Sequence, residues 1–156
     1  MQYGYFDNEK REYVIDNVAL PCSWTNYLGV EDMAAVINHT AGGYLFYKTP
    51  EYHRISRFRG NGVPMDRPGF YVYIRDNEKK DYHSISWQPV AKDLSKASYR
   101  CRHGLSYTVY ESEYDGLASS QTMVIPCGEN VLLWDVKVKN TTDAVRDLSL
   151  LSLIHI

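Results

Sequence analysis

The segment Leu105–Asn140, LSYTVYESEYDGLASSQTMVIPCGENVLLWDVKVKN, decides the fold. Over Val131–Asn140 the residues alternate, with Leu132, Trp134, Val136 and Val138 on one face and Leu133, Asp135, Lys137 and Lys139 on the other. Successive side chains leave a strand on opposite sides, so this period of two predicts a half-buried strand. Upstream, Leu105–Tyr110 and Leu117–Ile125 flank Asp115-Gly116. That dipeptide tolerates the positive φ a tight hairpin turn needs. Pro126-Cys127-Gly128-Glu129-Asn130 then turns the chain into the third strand. Three successive antiparallel strands follow.

Outward from this segment, further strands are expected at Tyr3–Phe6, Glu12–Ile15, Ala35–His39, Tyr44–Tyr47, Arg54–Phe58 and Phe70–Arg75. Between the last two, Gly60–Gly69 is rich in glycine and proline and predicts an exposed loop, the kind of segment that often carries function. Helix starts are scarce: only Glu31–Asn38 and Asp93–Ala97 suggest a turn or two. No internal repeat or low-complexity linker divides the chain. Short strands, many turns and little helix predict an all-β antiparallel sandwich over residues 1–150.

The last six residues, Leu151-Ser152-Leu153-Ile154-His155-Ile156, stand apart. One reading frame of a transposase adapter used in DNA library preparation encodes that string. Residues 151–156 are therefore expected to be a sequencing artefact and are left out of the fold and function argument.

Composition narrows the function classes. The 156 residues are 23% charged and 44% hydrophobic, the balance of a globular domain. A net charge of −2 gives no field to attract nucleic acid or an anionic membrane, and neither is expected as a partner. No apolar run approaches the roughly 18 residues of a membrane span, and Met1–Asp7 lacks the pattern of a signal peptide. The three cysteines (Cys22, Cys101, Cys127) are widely spaced and odd in number, as expected of small buried residues in a reducing cytoplasm. Asn38-His39-Thr40 and Asn140-Thr141-Thr142 match the glycosylation sequon by chance on this reading. Aromatic residues reach 13%, with 14 tyrosines. Tyrosine and tryptophan suit strands, and they also stack on sugar rings.

A visible active site is missing. His39, His53, His83 and His103 show no metal-binding spacing, and His103 reads as a polar residue beside a turn. There is no Gly-x-Ser-x-Gly, and Gly60-Asn61-Gly62 lacks the lysine and helix of a phosphate loop. Glycoside chemistry needs an acid whose pKa is raised by its surroundings. None of the 19 acidic residues is singled out by its context.

Several segments in order resemble the amino-terminal region of glycoside hydrolase family 94, the cellobiose and chitobiose phosphorylases. They are Tyr3–Asp7, Arg11–Ile15, Trp24–Gly29, Thr40–Tyr47, Tyr71–Asp76, Ser86–Val90, Arg102–Tyr107 and Gly128–Asn130. Tyr52–Arg59, Asp66–Gly69 and Ile85–Lys92 look more like the N,N'-diacetylchitobiose branch. The resemblance covers residues 1–150 and implies an incomplete sandwich domain of a larger inverting phosphorylase. Such an enzyme cleaves a β-linked disaccharide with inorganic phosphate as co-substrate, giving an α-sugar 1-phosphate and a free sugar. It implies no other cofactor and no metal. The catalytic acid and phosphate pocket would lie in a downstream helical barrel, so no catalytic residue is expected here. It also implies a cytoplasmic homodimer, with the sandwich near the partner's active site. On that basis Trp24, Tyr44, Asn61, Asp66 and Arg67 are the candidate substrate-binding or interface residues.

Two other classes stay open at this stage: a free-standing carbohydrate-binding module, and a purely structural interaction domain. Long-read sequencing of the source locus should show the reading frame continuing past Leu150 with residues other than those of 151–156. A genomic stop codon directly after Ile156 would overturn the artefact reading.

Overall fold

The computed structural model describes residues 2–57 and 68–154, which form twelve strands and, among the described residues, no helix. They are β1 (Gly4–Asp7), β2 (Glu12–Ile15), β3 (Thr25–Leu28), β4 (Met33–Asn38), β5 (Gly43–Tyr47) and β6 (Phe70–Asp76). The chain continues through β7 (Asp81–Ser84), β8 (Ala97–His103), β9 (Tyr107–Tyr114), β10 (Leu117–Val124), β11 (Leu133–Asn140) and β12 (Leu148–Ile154). A six-stranded sheet runs in the order β1-β2-β8-β9-β10-β11, and two three-stranded sheets run β12-β6-β7 and β3-β4-β5. Every pairing is antiparallel.

The hairpin at Asp115-Gly116 sets the register of the large sheet. Both residues have positive φ (50° and 75°), which matches the right-handed twist of the flanking strands. Registers then line up Ile15, Cys101, Tyr110, Gln121 and Val136 as one inward row across five strands. Tyr13, His103, Thr108, Met123 and Trp134 form the next row on the same face. The small sheets close over this face with Leu28, Met33, Ala35, Ile37 and Leu45 on one side and Phe70, Val72 and Ile74 on the other, making one core. On the outer face the neighbouring row, Arg100, Glu111, Ser120 and Lys137, is polar. This is the expected all-β sandwich.

A polar turn is buried between the layers. His39, Thr40 and Ala41 are all buried. The Asn38 side-chain oxygen accepts hydrogen bonds from the backbone N–H of Thr40 (2.9 Å) and Gly42 (2.8 Å) and from the Thr40 hydroxyl. From the large sheet, Tyr110 donates its hydroxyl to the Asn38 carbonyl (2.6 Å) and Tyr99 donates to that of His39. Gln121 donates to the Phe70 carbonyl (3.1 Å) in the other small sheet. The layers are thus joined by directional bonds as well as by apolar contact.

Several expectations need correction. Glu31–Asn38 is no helical turn: Met33, Ala35 and Ile37 are buried in alternation, so the segment runs as β4. Arg54–Phe58 is not a strand: Arg54 makes only an isolated bridge to Phe46, and Phe58 lies outside the described residues. Cys22 and Cys127 are exposed, and only Cys101 is buried. Asp93–Ala97 is a single turn, in which the Asp93 carbonyl accepts from Lys96 and Ala97. Apart from these corrections, Leu151–Ile154, left out of the fold argument above, lie in β12, paired backbone to backbone with Phe70–Tyr73. Such pairing makes little demand on side-chain identity.

Replacing Tyr110 by Phe removes one buried hydrogen bond while keeping the ring, and should cost about 1–2 kcal/mol. The check is urea unfolding beside Tyr27→Phe, whose exposed residue should leave the midpoint unchanged. Equal midpoints for both variants would contradict the role given to the Tyr110 hydroxyl.

Candidate functional site

The sequence candidates gather around the buried turn only in part. Tyr44 is half-buried in β5, its ring tilted at 31° to Phe46 at 5.8 Å. On one side of it, the Gly43 N–H donates to the Pro68 carbonyl. On the other, the N–H groups of Ile55 and Ser56 donate to the Leu45 carbonyl, and the Leu45 N–H donates to the Ser56 hydroxyl. The described residues on either side of 58–67 are therefore both fastened to β5, one residue before and one after Tyr44. Asn61, Asp66 and Arg67 fall within 58–67, outside the described residues.

Trp24 stands at the start of β3. Its carbonyl accepts the N–H of His39 (2.9 Å), and its ring packs edge-on against Tyr13 (5.3 Å) and Tyr3 (6.2 Å). Tyr13 in turn meets Phe6, which is 74% exposed. The half-buried Trp24 is thus one step in an aromatic run from core to surface. It touches the same turn as Tyr44, through backbone.

Three charged clusters lie elsewhere. Glu12, buried in β2, accepts both oxygens' worth of hydrogen bonds from Arg102 (3.0 and 3.1 Å) and one from the Tyr107 hydroxyl (2.7 Å). Arg102 also reaches Glu111 (3.0 Å). Asp81 accepts from Lys92 and from the Tyr114 hydroxyl, which hold its carboxyl down at about 2. The third cluster joins Arg146 to Asp76 and Asp115, with Lys79 on Asp115. There the Lys79 N–H, followed by Arg146, lowers the pKa of Asp76, and the Lys79 ammonium, followed by Arg146, lowers that of Asp115.

A general acid at neutral pH needs its carboxyl pushed up. Every carboxyl with a resolved shift among the described residues (Asp76, Asp81, Asp93 and Asp115) is instead pulled down. Asp76, Asp81 and Asp115 accept bonds that join distant segments, and Asp93 accepts the Ser95 N–H within its own turn. No group of three or more His, Cys, Asp or Glu among the described residues is placed to hold a metal ion. Nor is any helix there long and apolar enough to cross a membrane. Sequence reasoning missed these clusters because their bonded members are up to 95 residues apart. It also missed the role of Asn38, for which the following Thr-Ala-Gly-Gly run was the available signal.

Residues 11–156 match the family model described as "Glycosyl hydrolase 94, supersandwich domain". The chain belongs to this family. It is 53% identical over 155 residues to N,N'-diacetylchitobiose phosphorylase of Vibrio proteolyticus, a match covering 99% of this chain and 19% of that protein. The enzyme of the same name from Vibrio furnissii is 52% identical over 149 residues, covering 96% of this chain and 18% of its own length. A solabiose phosphorylase from Paenibacillus borealis is 29% identical over 161 residues, covering 98% and 20%. The chain thus spans about one fifth of the length of these relatives and corresponds to their amino-terminal part. The three sheets described above are a supersandwich seen at close range, and the resemblance noted in the sequence is correct at the level of family.

Buried histidines give the domain a testable pH response. Burial pushes the pKa of His83, packed against the Tyr114 ring, down to about 4. The unfolded chain, with histidine near 6.5, takes up protons first as pH falls. Stability is therefore complete above about pH 6.5 and is lost progressively toward pH 4, by up to about 3 kcal/mol for this residue. Asp81 stays ionised in the folded protein across that window, and its own contribution begins to fall only below about pH 5, as the unfolded carboxyl near 3.8 takes up protons. Urea midpoints between pH 7 and pH 4.5 should fall, and His83→Gln should flatten the slope. A slope unchanged by the substitution would refute the assignment.

Proposed function

We propose that this chain is the amino-terminal supersandwich portion of an inverting disaccharide phosphorylase acting on N,N'-diacetylchitobiose. The observation that carries the reading is the 53% identity, over nearly the whole chain, to a phosphorylase of that name. A phosphate oxygen attacks the anomeric carbon, the glycosidic C–O bond breaks, and an acid outside this domain protonates the leaving oxygen. The products are an α-sugar 1-phosphate and a free sugar, so the parent is a glycosyltransferase-type phosphorylase with phosphate as its co-substrate and no cofactor. The low pKa of the shifted carboxyls here supports placing that acid elsewhere.

On this proposal the parent is a cytoplasmic homodimer, and the sandwich contributes recognition surface rather than chemistry. Tyr44 and Trp24, with Asn61, Asp66 and Arg67, are the residues assigned to the substrate or subunit interface. What supports Tyr44 is its place between the two attachments of the segments flanking 58–67. What supports Trp24 is its place in an aromatic run that ends at the surface. Residues 151–156 are proposed to be foreign to the natural chain.

The natural-length protein should release sugar 1-phosphate from N,N'-diacetylchitobiose only when phosphate is present, and residues 1–150 alone should release none. Activity from residues 1–150 would sink the division of labour. Hydrolysis without phosphate by the natural-length protein would sink the phosphorylase reading itself.

A further inference from the structure

The outer face of the β6–β7 hairpin carries a shallow groove of about 520 Å³, lined by Tyr73, Arg75, Lys80, Tyr82, Leu151 and Ser152. Strand geometry explains the grouping. Tyr73 and Arg75 are two apart on β6 and so share a face, and Arg75 lies directly opposite Tyr82 on β7. Tyr82 is 52% exposed, whereas Tyr73 is half-buried. Most of the lining is apolar, yet two cations and two phenol hydroxyls stand in it.

The charges are one-sided. No carboxylate lines the groove. The two acids of the hairpin strands are engaged elsewhere, Asp76 by Arg146 and Asp81 by Lys92 and Tyr114. Among the described residues, neither the Arg75 nor the Lys80 side chain has an ion pair. A guanidinium and an ammonium left without carboxylates favour an anion, and the guanidinium fork matches two phosphate oxygens. Inorganic phosphate alone would leave the two tyrosine rings idle. A hexose presents an apolar C–H face to such rings and hydroxyls to their polar edges.

We propose that this groove binds a phosphorylated hexose, with the sugar ring on Tyr82 and the phosphate between Arg75 and Lys80. Tyr73 donates its hydroxyl to the ring. The assignment rests on the four hairpin residues, because Leu151 and Ser152 belong to the terminal string proposed above to be foreign. It goes beyond phosphorolysis and does not depend on it, since the groove holds no acid to protonate a leaving group.

Calorimetric titration of the natural-length protein with glucose 6-phosphate tests the site. Saturable binding is expected, about tenfold weaker in Arg75→Gln, which removes a charge-assisted contact to the phosphate, and in Tyr82→Ala, which removes the ring under the sugar. The binding that Arg75→Gln removes should be at least about tenfold weaker for glucose and for inorganic phosphate than for the phosphorylated sugar. Both substituted residues are exposed, so unfolding midpoints should not change. No saturable binding overturns the proposal, as does binding that both variants retain, which would place the ligand elsewhere. An equal Arg75-dependent affinity for inorganic phosphate, or an Arg75-dependent preference for an acidic peptide, overturns the sugar assignment. Loss of phosphorolysis without loss of this binding bears on the previous proposal and leaves this one standing.

Discussion

A turn of backbone, Asn38–Gly43, lies where the sheets meet, and its polar groups must be satisfied from inside the protein. Leaving one such group unpaired costs about 1–3 kcal/mol. The side chain of Asn38 and two tyrosines on the large sheet supply part of the answer, and the backbone of Trp24, Pro68 and Phe70 supplies more. Each hydroxyl sits at the end of a rigid ring, so the distance between layers is fixed wherever those bonds form. The same turn places the first residues of β5 and offers the Ala41 carbonyl to the Phe70 N–H at the start of β6. One buried turn therefore positions an edge of both small sheets.

Electrostatics follow the same logic of joining distant segments. Arg146, ahead of β12, binds Asp76 at the end of β6 and Asp115 in the β9–β10 turn, crossing from one layer to the other. Lys92, on the loop after β7, binds Asp81 and lies over the Tyr114 ring at 4.8 Å. Isolated surface pairs contribute little, about 0–1 kcal/mol, but a network anchored by a largely buried arginine also fixes geometry. Acidic groups committed in this way are stabilised as anions. That is the opposite of what proton donation to a glycosidic oxygen requires, so stability and acid catalysis place contrary demands on the same residue type.

Much of the fold was legible where one face is buried and the other wet. The alternation in Leu133–Asn140 and the Asp115-Gly116 turn both lie in the large sheet, whose outer face is polar. β8 was illegible because Arg100, Arg102 and His103 read as polar surface, while inward Tyr99 and Cys101 are too few to show a period. Glu31–Asn38 misled because alanine and methionine favour helix locally and tertiary burial overrides that preference. The site was less legible than the fold. Asn38 takes its meaning from two tyrosines 61 and 72 residues away, read from the His39 and Asn38 carbonyls as separations of 60 and 72, and no local pattern signals such a partner.

The sheet edges carry a last piece of physics. An edge strand exposes unpaired backbone groups, and charges on it discourage unwanted pairing. β11 is such an edge and carries Asp135, Lys137 and Lys139 on its outer face. β12, the edge of its own sheet, has no charge from Leu148 to Ser152, and Leu150 and Leu151 are both more than half exposed. Charge thus guards the β11 edge against pairing with another chain, whereas the β12 edge carries no such guard over Leu148–Ser152.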